Sequence, residues 1–223
     1  MPRLKPETRD ARREAILDAA ELCIARSGFH GATMAEICAE AGVSAGALYV
    51  HFQSKEALIA GITERDRNKL ASEFATLGQA PDLFTALQAL ARHYTIDEPR
   101  HKRVLCIELG AEATRNPAVG DIYRSVDNFV IKSFETLFAR AAAEGRIAPA
   151  HSAPVTALMV MLIGEGLFWR RAIDPSFEPE TVMPAVMDVI GHLLKPIASD
   201  GADLAANLSD LAPPHPGTLE STE

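Results

Sequence analysis

The residues best suited to chemistry in this 223-residue chain lie in one short stretch, from position 33 to position 55. Tyr49, His51 and Lys55 offer a phenolic hydroxyl, an imidazole and an ammonium, which all donate hydrogen bonds to phosphate oxygens. Thr33 adds a hydroxyl at a predicted helix start, and Ser44–Gly46 are small enough for a helix N-terminus to approach a ligand closely. We therefore expect DNA contacts from Thr33, Ser44, Ala45, Gly46, Tyr49, His51 and Lys55.

The pattern around these residues predicts two short helices joined by a tight turn over about 33–53. Thr33 begins a capping box, and Gly42 supplies the backbone freedom that the turn needs. Ile37 and Leu48 are the apolar residues expected to hold the two helices together. This is the helix-turn-helix plan, in which the second helix enters the DNA major groove. The same pattern also fits a plain helical hairpin whose Tyr and His side chains only pack.

Val43–Leu58 closely resembles the signature of the TetR/AcrR family of bacterial transcription regulators. Ile16–Ala20, Gly28–Phe29 and Thr33–Gly42 resemble the preceding helices of that family in order and spacing. The resemblance implies an all-α fold, with a three-helix DNA-binding domain at 9–60 and a helical ligand-binding and dimerisation domain after it.

The resemblance also implies roles for single positions. Phosphate contacts fall on Thr33, Tyr49, His51 and Lys55, and base contacts fall on Ser44–Gly46. Alanines occupy positions 45 and 47, where relatives often have larger polar side chains. We therefore expect DNA sequence to be recognised more through apolar contacts with thymine methyl groups and through DNA shape. Arg3, Lys5 and Arg9 resemble a basic arm laid on DNA in some relatives, although a solvated terminus explains them equally well.

Apolar spacing predicts helices along the rest of the chain. The predicted helices are 9–27, 33–40, 45–51, 55–78, 82–97, 101–115, 118–144, 154–173 and 179–194. Pro184 predicts a kink or a delayed start of the last helix. The second domain is expected to cover 61–195, with a mobile acidic, proline-containing tail at 196–223.

The second domain should hold a pocket for a small hydrophobic or aromatic inducer. Its candidate residues are apolar or aromatic, with one acid among them: Phe84, Leu87, Tyr94, Cys106, Tyr123, Phe129, Met159, Ile163, Glu165 and Phe168. Glu165 interrupts an apolar run, so it either binds a ligand amine or hydroxyl, pairs with Arg170 or Arg171, or faces water at a dimer rim. The last two helices are expected to form a homodimer interface. Its candidates are Leu158, Leu162, Trp169, Val186, Val189 and Leu193.

The formal net charge of −8 is unevenly spread. Residues 1–69 hold 10 Lys and Arg against 10 Asp and Glu, whereas 70–196 carry −3 and the remaining residues −5. The acidity should repel DNA everywhere except at the DNA-binding domain, which helps to orient the protein on DNA.

Several function classes lack support in the sequence. No nucleophile, phosphate-binding or zinc-protease motif is present, and neither the three cysteines nor the seven histidines have metal-binding spacing, so we expect no enzyme, metal or cofactor. The longest apolar run, 155–164, is about half of a membrane span. We expect a cytoplasmic, ligand-responsive DNA-binding regulator, most simply a repressor of an efflux or catabolic operon on an inverted-repeat operator. The alternative is a helical protein-interaction module with a degenerate DNA-binding domain.

Overall fold

A computed structural model describes residues 6–197, and over that range the regular structure is entirely helical. The α-helices are α1 Pro6–Gly31, α2 Met34–Glu40, α3 Ala45–His51, α4 Lys55–Gln79, α5 Leu83–Arg92, α6 Arg100–Ala113, α7 Pro117–Ala143, α8 Ala153–Ile173 and α9 Pro179–Leu194. A π-helical turn, His93–Asp97, joins α5 to α6. The predicted all-α fold is confirmed.

Local signals account for most helix boundaries. Gly28 has a φ of 74°, which interrupts α1 where the sequence predicts its end. The predicted helix 82–97 is wrong in its last turn, because the backbone changes from α to π geometry after Arg92. The predicted delayed start at Pro184 is also wrong: α9 begins at Pro179 and runs through Pro184. Pro184 has no amide proton, so the helix lacks one backbone hydrogen bond, the one to the carbonyl of Glu180. Glu180 is exposed at the helix start.

The predicted tail begins too early, at position 196. Pro196 forms an antiparallel bridge with Ile147, and the amide of Ile197 donates to the carbonyl of Arg146 at 2.9 Å. The rest of the predicted tail, and the predicted basic-arm residues Arg3 and Lys5, lie outside the described residues.

Two apolar cores hold the helices together. The first is formed mainly by α1 to α4, and Leu105, Leu109 and Val119 of α6 and α7 complete it. The second is formed by the end of α4 with α5, α7, α8 and α9. Helix α4 enters both cores and crosses the predicted domain boundary between residues 60 and 61 without a break. The N-terminal helices are therefore packed directly against the C-terminal helices rather than tethered by a linker.

Helix α8 has an unusually apolar and open surface. It is the one described helix that is long and apolar enough to cross a bilayer by length and composition. This is weak evidence for a membrane span, because helices of soluble proteins also pass that test. Leu158, Leu162 and Trp169 are 46%, 52% and 39% exposed, so this chain alone leaves the apolar face of α8 uncovered.

Candidate DNA-binding surface and ligand cavity

Short-range hydrogen bonds fix the start of each short helix. Thr33 Oγ1 accepts from the amide of Glu36 at 3.2 Å, and the Glu36 carboxylate accepts from the amide of Thr33 at 2.9 Å, which completes the predicted capping box. Ser44 Oγ accepts from the amide of Ala47 at 3.2 Å. Gly42, with a φ of 64°, allows the turn between α2 and α3. The geometry is that of a helix-turn-helix.

The predicted DNA contacts at the start of α3 lie on an open surface. Thr33, Ser44–Gly46 and Tyr49 are exposed, while Ile37 and Leu48 behind them are fully buried. Val50 is 69% exposed beside Tyr49, and sequence reasoning missed it. Its exposure follows from its position two residues past buried Leu48, about 200° around the helix. The surface can present free α3 amides, one phenol and an apolar side chain to a DNA groove.

Lys55 has partners that the sequence did not predict. Its ammonium donates to the carbonyls of Phe29, His30 and Ala32, at 2.5, 3.4 and 3.0 Å, and lies 4.7 Å from the centre of the Phe29 ring. These carbonyls belong to the C-terminal end of α1, where helices leave acceptors unpaired. Lys55 therefore ties the start of α4 to the end of α1, and a phosphate would have to compete with those bonds.

His51 lies near a cluster of basic side chains. Burial lowers the pKa of His51, and the nearby guanidinium groups of Arg9, Arg12 and Arg13 lower it further. The imidazole is therefore neutral at pH 7 in the free protein. Arg13 also lies 5.6 Å from the centre of the Phe52 ring, which places basic charge beside the end of α3.

A cavity of about 180 Å³ lies between α4, the π-helical turn, α6, α7 and α8. Tyr94, Cys106, Tyr123 and Phe168, four of the ten predicted pocket residues, line it. A cavity of about 150 Å³ is enough to hold benzene. Its apolar and polar walls are completed by residues that the sequence did not single out: Ile59, Ile62, Thr63, Asp66, Lys69, Leu70, Glu98, Lys102, Leu105, Leu109, Val119, Ile122 and Val126.

The other six predicted pocket residues do not line this cavity. Leu87 is buried in the second core, and Phe84 and Ile163 pack against that core. Arg67 covers the ring of Phe129 at 5.2 Å, and Met159 is 40% exposed on α8. Glu165 is the sixth. Apolar spacing predicts which face of a helix is buried. It does not predict whether that face packs in the second core or lines the cavity.

Glu165 forms neither of the ion pairs considered for it. Arg170 binds Asp174 at 3.1 Å, and Arg171 donates to backbone carbonyls, including that of Pro175. Burial raises the pKa of Glu165, and the negative charge of Asp127 raises it further. Within the described residues this carboxylate has no salt-bridge partner, so its reading as an Arg170 or Arg171 partner is wrong.

Cys106 is an exposed residue that lines the cavity. Desolvation by the surrounding protein raises the pKa of its thiol to about 12. The thiol is protonated at neutral pH and therefore a poor nucleophile.

A buried ionic network joins the cavity to α1. Glu21 of α1 is 2% exposed and accepts from Arg65 of α4 and from Lys102 of α6, the latter at 3.0 Å. Lys102 also donates to Asp66 at 3.2 Å, and both side chains line the cavity. Sequence reasoning missed this network because its members are far apart in the chain and resemble ordinary surface charges.

Further polar bonds join α1 to α6. The amide of Phe29 donates to Glu108 at 3.4 Å, and His30 lies 2.9 Å from the buried carboxylate of Glu112. Helix α6 therefore contacts the cavity on one side and the DNA-binding helices on the other. A displacement of α6 would therefore change the hydrogen bonds that it makes with the end of α1.

Comparison with known proteins agrees with this architecture. Residues 16–62 match the family model described as bacterial regulatory proteins, tetR family. The transcriptional regulator UidR of Escherichia coli K12 is 28% identical over 155 residues, covering 70% of this chain and 79% of UidR. The transcriptional repressor AcnR of Corynebacterium diphtheriae is 31% identical over 93 residues, covering 42% of this chain and 49% of AcnR.

A solved structure extends the likeness to the ligand domain. Salmonella enterica GusR superposes with a TM-score of 0.71 at 29% identity, covering 83% of this chain and 96% of GusR. The curated relatives are transcriptional regulators, and none of those named here is an enzyme. With the exposed, capped helix-turn-helix and the helical domain behind it, the chain belongs to the TetR family of DNA-binding transcriptional regulators.

Proposed function

We propose that the protein is a ligand-responsive repressor that binds an inverted-repeat operator as a homodimer. The observation that carries this is the open N-terminus of α3, which Ser44 caps, with the exposed side chains of Ser44–Gly46 and Tyr49. The proposed DNA contacts are Thr33, Ser44, Ala45, Gly46, Tyr49, His51 and Lys55. We assign DNA binding to residues 9–60, and ligand binding and dimerisation to 61–195.

Dimerisation through α8 and α9 is supported by the apolar surface that these helices leave open. Leu158, Leu162 and Val189 are each about half exposed in a single chain. A second copy would cover them as a four-helix interface and place two α3 helices on one face of DNA. Leu162→Glu should give a folded monomer in analytical ultracentrifugation, whereas Arg124→Glu, on the exposed face of α7, should remain a dimer. A dimeric Leu162→Glu protein would contradict this interface.

An inducer in the cavity would act through α6. The four aromatic and sulfur-containing predicted residues that line the cavity support a small hydrophobic or aromatic molecule. Because Lys102 borders the cavity and binds Glu21 of α1, a ligand that shifts α6 would change the spacing of the two DNA-binding domains. The ligand moves this equilibrium only by its different affinity for the two states. We also propose that the protein is cytoplasmic and that it controls an efflux or catabolic operon.

Fluorescence anisotropy tests the proposal. The full chain should bind a duplex from the region upstream of its own gene at least about a hundredfold more tightly than a scrambled duplex of the same composition, at moderate salt. Equal affinity for the two duplexes would contradict operator recognition. Ala45→Glu should abolish the preference, because a carboxylate would enter the groove beside the phosphates, and Glu64→Gln on exposed α4 is the matched control.

A further inference from the structure

One carboxylate in the cavity wall has no hydrogen-bond partner. Glu98 lies between the π-helical turn and α6, lines the cavity and is 8% exposed. Among the described residues its carboxylate accepts no hydrogen bond, and its nearest cationic candidate is His93 Nε2 at 3.6 Å. Because this side chain is mostly buried, a donor group brought by a ligand would replace hydration that the carboxylate has lost.

His93 does not donate a hydrogen bond to Glu98. Its Nε2 lies 3.1 Å from the ammonium of Lys69. This contact is within hydrogen-bond distance, whereas the 3.6 Å from the same nitrogen to the Glu98 carboxylate is beyond it.

The other cations near Glu98 are also engaged elsewhere. Lys102 binds Glu21 and Asp66. Buried Arg103 donates to the backbone carbonyl of Glu98 and forms no salt bridge within the described residues. The carboxylate is left facing the cavity.

The remaining polar groups of the cavity include both acceptors and donors. The Thr63 hydroxyl donates to the carbonyl of Ile59 at 2.9 Å, which leaves it only the role of an acceptor toward a ligand. Tyr94 donates its hydroxyl proton to Glu73 at 2.5 Å. Besides the acceptors Glu98, Asp66 and Thr63, the wall carries donors, namely the ammonium groups of Lys69 and Lys102 and the hydroxyl of Tyr123. The rings of Tyr94, Tyr123 and Phe168 provide apolar walls.

We infer that Glu98 is the polar recognition group of the cavity, and that it accepts a hydrogen bond from a hydroxyl or ammonium group on a small, mainly apolar ligand. The inference rests on the proposed ligand-responsive function and specifies its ligand chemistry. Glu98 also precedes α6, so a ligand held there would act on the helix that carries Lys102 to Glu21.

Isothermal titration calorimetry of the full chain near neutral pH tests the inference with three probes of equal ring size: benzylamine, benzyl alcohol and benzoate. We expect benzylamine and benzyl alcohol to bind about tenfold or more tightly than benzoate, because only they bring a donor to Glu98. Benzylamine ahead of benzyl alcohol identifies a cationic ligand, and equal binding of the two identifies a neutral donor. Benzoate binding as tightly as the others, or no binding by any of the three, would overturn the inference.

Variants separate recognition from a structural role. Glu98→Gln should reduce the preference for benzylamine over benzoate about tenfold, and Asp97→Asn, an exposed neighbour in the same turn, should preserve it. The Tm of ligand-free Glu98→Gln should equal or exceed that of the parent, since an unpartnered buried charge is removed. A lower Tm would show that Glu98 balances Arg103 and would overturn its role in recognition.

The two proposals can fail separately. Glu98→Gln should bind the upstream duplex as the parent does in the absence of probe. Failure of the parent to prefer that duplex would remove the proposed function while the calorimetric result stands. Normal operator binding with no probe selectivity would remove only the role of Glu98.

Discussion

The DNA-binding helices and the cavity hold their polar groups in opposite ways. In α2 and α3, each cap is a hydrogen bond between residues three positions apart, as from Ser44 to the amide of Ala47, and the outer side chains point to solvent. Around the cavity, Glu21, Arg65 and Lys102 come from three helices and meet in a buried network. The first region is built locally and can be rigid by itself, whereas the second exists only when α1, α4 and α6 are packed together.

This difference assigns different tasks to the two regions. A surface that must match DNA is best fixed by local bonds, because its shape then does not depend on distant helices. A sensor must do the reverse, since a ligand can change the DNA-binding helices only through contacts that span both regions. Substitutions in the network should therefore change stability, and substitutions of the exposed residues of α3 should change DNA affinity alone.

The largest expected effect comes from Arg65. Arg65→Met leaves the buried Glu21 carboxylate with fewer cations, which should lower the free energy of unfolding by about 3 kcal/mol. Arg67→Met, two positions along on the exposed face of α4, should lower it by less than about 1 kcal/mol. Urea denaturation measures both. Equal effects would show that the network does not hold α1 against α4 and α6.

Lys55 is a predicted DNA contact whose ammonium also ties the start of α4 to the end of α1, so its substitution tests both roles. Lys55→Met should lower the free energy of unfolding by about 1–2 kcal/mol, because the carbonyls of Phe29 and Ala32 lose a charged donor. If Lys55 also contacts a phosphate, the slope of log affinity against log salt should flatten by about one unit. An unchanged slope with lower stability would make Lys55 a structural residue only.

Tyr49 should affect DNA binding without affecting stability. Its side chain is 44% exposed, so Tyr49→Phe removes a hydroxyl that has no described partner in the free protein. We expect a loss of about 1 kcal/mol, roughly fivefold in affinity, on upstream and scrambled duplexes alike. A loss confined to the upstream duplex would show that Tyr49 reads bases instead of holding a phosphate.

The smallest expected effect is the pH dependence of DNA binding through His51. Burial and Arg9, Arg12 and Arg13 hold the pKa of His51 below its usual range in the free protein. A phosphate beside the imidazole would raise that pKa, so binding takes up a proton and affinity should increase as the pH falls from about 8 to about 6. His51→Gln should remove this dependence in anisotropy titrations. An unchanged pH profile would exclude a phosphate contact that favours the charged ring.

The sequence predicts features that depend on neighbouring residues, and it does not predict features that depend on contacts between distant helices. The caps at Thr33 and Ser44 and the turn at Gly42 depend on neighbouring residues, so their types and spacing were sufficient. Glu98 and Lys102 acquire their roles from residues on other helices. No local pattern distinguishes a buried acid just before α6 from a solvated one, and a single sequence contains no record of which helices meet.

The DNA contacts themselves remain predictions, and hydroxyl-radical footprinting of the region upstream of the gene tests the central claim most directly. We predict two protected half-sites of an inverted repeat, on one face of the duplex and separated by about one helical turn or a multiple of it. Two protomers should be bound per duplex, and Ala45→Glu should remove both footprints. Protection of a single half-site, or uniform protection along the duplex, would contradict a dimer that reads DNA through α3.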